Sequence, residues 1–130
     1  MRRDSTASKP DSSAEATLRW LEPRLENVPP ELSAEIERWV RSAAPNVLAH
    51  DIVTETLAAS ALAALDRVLA APQTRDSAGQ LLAADACLTY AFESAADQRG
   101  DLSGLAERLG LQGELGARLR AALADDSGPA

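Results

Sequence analysis

At 130 residues and 45% apolar side chains, the chain is about one domain long and too apolar to be disordered throughout. Alanine (27) and leucine (19) dominate that apolar fraction, while valine and isoleucine together number 7 and aromatics 4; this excludes a β-sheet protein and predicts an all-α fold. The 13 basic and 20 acidic residues give a net charge of −7, which disfavours duplex nucleic acid and anionic membranes as partners.

Residues 1–12 are polar and read as a disordered tail. Ser12 and Glu15 have the spacing of a capping box, so a first helix is predicted from about Ser13, with Leu18, Leu21 and Leu25 inward and Pro23 disturbing its last turn. Pro29 and Pro30 break the chain. Pro30 suits the first turn of a second helix, in which Leu32, Ile36, Trp39, Val40 and Ala43 form an apolar stripe, and Pro45 ends it. From Val47 to Ala70 neither Gly nor Pro occurs, and the scattered alanines predict a central helix that neighbours can approach closely. Asp76 or Ser77 should cap a fourth helix running to about Asp97, followed by a short helix over 102–109 and a last one over 113–124. The reading is one all-α bundle of five or six helices over 13–124, with 125–130 frayed. Ile36, Trp39, Leu62, Leu81, Leu88 and Phe92 are the expected core.

The chain shows no secretory signal, because no apolar run follows Arg2 and Arg3. The longest uncharged stretch of the Ala-rich middle, Thr56 to Leu65, is ten residues, about half a membrane span. A single cysteine, Cys87, excludes an internal disulfide and a thiolate zinc site. The expected location is the cytoplasm.

Few residues offer chemistry. At about 100° per residue, Asp85 falls in the same arc as Leu81, Leu88 and Phe92, where a carboxylate must be paired or face a cleft. His50 is the only histidine, and Asp51 and Glu55 follow it one turn apart, a spacing that can hold Mg²⁺ but equally suits a helix N-terminus. No Ser/His/Asp set is arguable, and Cys87 lies in an apolar helix where a thiol is inert. The stretch from Leu102 to Leu123 has the rhythm of a helix-turn-helix, whose exposed positions would be Gln112, Glu114, Ala117, Arg118 and Arg120. Residues 99–120 hold four arginines against three acids, so no basic face results.

Leu82-Ala-Ala-Asp-Ala-Cys-Leu-Thr-Tyr-Ala-Phe-Glu93 is similar to the Gly-Asp-Ala-Leu-Leu-Thr-x-Ala-Phe-Glu helix of the trans-isoprenyl diphosphate synthase family. Leu109-Gly-Leu-Gln-Gly-Glu-Leu-Gly-Ala-Arg118 resembles its Gly-Leu-x-Gly-Met-Val-Gly-Gly-Gln segment, and Leu48-Ala-His-Asp-Ile-Val-Thr-Glu55 the start of its first aspartate-rich motif. The matches span about residues 48–118 in the family's order. The resemblance implies a ligand set of His50, Asp51, Glu55, Asp85 and Arg118, with Mg²⁺ as cofactor if a diphosphate is held. The departures imply a shortened form without catalysis. Ile52 stands where the family has a metal-binding aspartate, Glu55 replaces the motif's last one, Arg118 replaces a glutamine, and no Gly-Gly-Lys-Arg segment or second aspartate-rich motif occurs.

The resulting expectation is a non-catalytic acidic helical protein, not an enzyme, that works by self-association or through a protein partner, as a prenyl-synthase-like partner or scaffold. An isoprenoid- or diphosphate-binding protein with residual prenyl transfer is the alternative, and a helix-turn-helix regulator the second. No catalytic residue, metal site or required cofactor is assigned.

Overall fold

A computed structural model describes residues 13–43, 52–70, 75–98, 101–110 and 112–126, and six helices occur among them. They are α1 (Ser13–Leu21), α2 (Pro30–Ala43), α3 (Ile52–Ala70), α4 (Arg75–Asp97), α5 (Leu102–Leu109) and α6 (Glu114–Asp126). No strand occurs among the described residues. The predicted tail 1–12, the predicted start of α3 at Val47 and residues 127–130 lie outside them. Two boundaries differ from expectation. Arg75 rather than a capping Asp76 or Ser77 opens α4, with Ser77 buried inside the helix, and α6 runs two residues past its expected end.

The α3–α4 pair is the backbone of the bundle and its most extensive helix contact. The hydroxyls of Thr54, at the start of α3, and Ser94, near the end of α4, hydrogen-bond at 2.8 Å, so the two helices run antiparallel. What they press together is small. Ala58, Ala61 and Ala64 of α3 are buried, as are Ala83, Ala84, Cys87, Ala91 and Ala95 of α4. How close two helices come depends on the side chains between them, and alanine permits close approach. Leu57 is the large residue fully buried on α3.

Helices α1 and α2 cover one side of this pair through Leu21, Ile36 and Val40, all fully buried. The turns after α1, where Pro23 stands, are fastened to the far end of α4 by Arg24. Its guanidinium donates to Glu93 and Asp97 at 2.9 Å each and to the Trp20 carbonyl at 3.0 Å, and lies 3.6 Å over the Trp20 ring. Trp20 in turn meets Tyr90 edge to face, with centroids 6.3 Å apart. The hydroxyls of Thr17 and Thr56 are buried and have no hydrogen-bond partner.

The expected core needs correction on α4. Ile36 is buried as expected, but Trp39, Leu62, Leu88 and Phe92 are half-buried at the margin, and Leu81 is 49% exposed. The buried stripe of α4, running from Ser77 through Ala84, Cys87 and Ala91 to Ser94, is rotated by about a quarter turn from the leucine stripe. Contact with α3 selects the small face, leaving the leucines to close over its edge.

Candidate functional site

Asp101 begins the C-terminal part of the structure by capping α5, its carboxylate accepting the Gly104 amide at 2.9 Å. Gly110 ends the helix, with its amide donating 2.8 Å to the Ala106 carbonyl. The chain then turns so tightly that a Cβ at Gly113 would sit 2.1 Å from the Arg108 carbonyl oxygen, which reserves that position for glycine. Because of this turn, α6 packs against both α5 and α3.

Polar pairs hold α5 and α6 to α3. Arg108 of α5 grips Glu55 through both oxygens, at 2.8 and 3.2 Å. Arg118 of α6 donates to Asp66 of α3 at 2.7 Å and to Glu114 one turn back at 2.5 Å. Burial pulls the Arg118 pKa down, but its hydrogen bonds to Asp66 and Glu114 outweigh that and leave it raised, so the side chain is firmly charged.

The apolar side of α6 is only partly covered. Leu115, Leu119 and Leu123 recur every fourth residue on one side of the helix; Leu115 is half-buried, Leu119 is 39% exposed and Leu123 65%. Leu115 lines a shallow cleft of about 170 Å³ together with Ala61 and Leu65 of α3 and Leu81, Ala84, Asp85 and Leu88 of α4. Leu81 and Leu88 of α4 and Leu115 of α6 therefore meet at one surface, across the edge of α3. That surface is the candidate site.

The structure distributes the sequence-derived ligand set rather than assembling it. His50 and Asp51 lie outside the described residues. Glu55 lines a different depression from Asp85, one of mixed character and about 420 Å³ that it shares with Leu62, Arg108, Leu109, Gln112 and Glu114. Arg118 is engaged by Asp66 and Glu114. Asp85 is exposed and lines the cleft with Leu81 and Leu88, one of the placements its arc allowed, because the arc itself turns outward; its backbone carbonyl accepts the Thr89 hydroxyl at 2.9 Å. Among the described residues no three His, Cys, Asp or Glu side chains cluster as a metal site would require, and no helix is long and apolar enough to cross a membrane. Of the expected helix-turn-helix positions, Gln112, Glu114, Ala117 and Arg120 are exposed and Arg118 is half-buried. Cys87 is fully buried, and desolvation pushes its thiol pKa up to about 12.

Sequence reasoning placed Leu115, Leu119 and Leu123 within a helix-turn-helix rhythm and missed the surface they make with Leu81 and Leu88. The signal was there: leucines every fourth residue on a helix of mixed charge, facing no equally long apolar stripe elsewhere. Comparisons with protein-family models, curated proteins and solved structures give no match.

Proposed function

We propose that this protein works without catalysis, by associating with another protein through the leucine surface of α4 and α6. One observation carries the reading: Leu81, 49% exposed, lines a cleft whose other walls are apolar but for Asp85, and Leu119 and Leu123, 39% and 65% exposed, continue the leucine row of the helix that supplies Leu115 to it. Contiguous exposed apolar area is unfavourable in water and characteristically marks a surface that is covered in use. The non-catalytic part of the reading is supported by the fate of the polar residues. Ile52 has no metal-binding group to offer, and Glu55 and Arg118 are spent on holding α5 and α6 against α3. Taken with the likeness to prenyl synthases, this describes a shortened relative acting as partner or scaffold.

Site-specific photo-crosslinking tests the association. A photoreactive residue at position 119 or 81 should give one discrete adduct in cells that make the protein, while the same residue at position 38, on exposed α2 surface, should give none. Equal labelling from all three positions would overturn the reading. The catalytic question has its own assay: incubation with an allylic diphosphate, isopentenyl diphosphate and Mg²⁺ should yield no product above a heat-killed control, and product formation would overturn the non-catalytic assignment.

A further inference from the structure

Asp85 is the one charged side chain among the seven residues that line the leucine cleft. Its carboxylate is exposed and has no ion-pair partner among the described residues. Arg118 of α6, the helix that supplies Leu115 to the cleft, already serves Asp66 and Glu114. A partner that covers Leu81, Leu88 and Leu115 must also cover Asp85, removing that carboxylate from water. A desolvated charge is tolerated when the opposing surface brings the opposite charge.

This condition selects the partner. Two copies joined by a two-fold axis would present the same seven lining residues to one another, and none of these is a cation that could pair with Asp85. Each chain also carries a net charge of −7, which adds longer-range repulsion. Leu81, Asp85 and Leu88 stand at i, i+4 and i+7 on α4, with Leu65 of α3 and Leu115 of α6 beside them, and such a helical row packs against the apolar stripe of another helix. We infer that the surface takes a basic amphipathic helix of a different protein, with leucine-type residues seated between α4 and α6 and one Arg or Lys on the same stripe set against Asp85. The inference rests on the association reading above and specifies its partner.

Two synthetic helices of about 20 residues, long enough to be substantially helical in water, test it: both carry leucines at helical spacing, one with an Arg and the other with a Glu at the centre of the apolar stripe. Titrated against the whole protein by fluorescence anisotropy, the Arg helix should bind about tenfold more tightly than the Glu helix. Asp85→Arg should reverse that order, and Asp85→Asn should abolish the difference while keeping leucine-dependent binding. Because Asp85 is exposed, both variants should retain the parent's helical circular dichroism and melting temperature. Equal binding of the two helices, or an order that Asp85→Arg leaves unchanged, would overturn the charge pairing while leaving association through leucines standing. A concentration-dependent dimer in light scattering, abolished by Leu81→Arg, would overturn it in favour of a second copy. If neither helix binds and the protein stays monomeric, the inference and the association reading fall together.

Discussion

The α3–α4 pair and helix α6 are both rich in alanine and leucine, yet they use them in opposite ways. In the pair, alanines and a cysteine meet in the middle with Leu57 and Val68 of α3 buried beside them, and the leucines and phenylalanine of α4 stand at the margin. On α6, leucines lie on the side nearest the bundle but are only partly covered, and arginine pairs do much of the attaching. Side-chain size therefore does not tell which apolar residues are interior: the extent of matching helix surface does. Two long helices of about 20 residues each can align small faces over their whole length, whereas α6 meets α3 only near its start and presents the remainder outward.

The largest expected difference is chemical. The native Cys87 thiol, with its pKa pushed to about 12, should react with a thiol reagent at pH 8 about a thousandfold more slowly than the same thiol in the unfolded chain, because only the thiolate attacks. Equal rates before and after denaturant would show that the α3–α4 contact is open. The same shift fixes a sign. The native state holds this proton to higher pH than the unfolded state, so its contribution is intact below about pH 9 and is lost as pH rises toward 12. Next in size, Leu57→Ala removes a fully buried side chain of α3 and should cost about 2–5 kcal/mol in urea unfolding. Ala91→Leu tests the tightness of the pair directly: forcing a larger residue into the small-residue contact should cost about 1–3 kcal/mol, and no loss would mean that the helices stand further apart than described. At the small end, Leu123→Ala on α6 should change stability by less than about 0.5 kcal/mol while weakening capture of the partner helix. A stability loss like that of Leu57→Ala would instead make α6 part of the core.

Much of the architecture was readable because its punctuation is strong. Pro29–Pro30 and Gly110 each mark a helix boundary with a residue whose backbone chemistry allows little else. The rotation of α4 was not readable. Its inward Ala84, Cys87 and Ala91 contrast too little with its outward Leu81 and Leu88 for an apolar period to distinguish them, and the larger residues were assigned to the core by size alone. Asp85 shares the arc of Leu81 and Leu88 as its spacing predicted, and because that arc turns outward it faces a cleft instead of pairing inside the bundle. Glu55 and Arg118 were legible as charged helix residues, but their partners Arg108 and Asp66 lie 53 and 52 positions away, beyond what local spacing can pair.

The division of labour around α4 also bears on how such a chain can change. Its inward residues are already near the smallest side chains available, so mutation there can do little except enlarge them, and enlargement is resisted by the facing helix. Its outward residues touch no such constraint. One helix thus carries two separable records, a rigid one that keeps the hairpin closed and a permissive one that can be rewritten without repacking the fold. Exchanging Leu81 and Asp85, both exposed, for residues of another helix's exposed stripe should redirect recognition while leaving the melting transition in place, which makes the α3–α4 hairpin a natural scaffold for grafting.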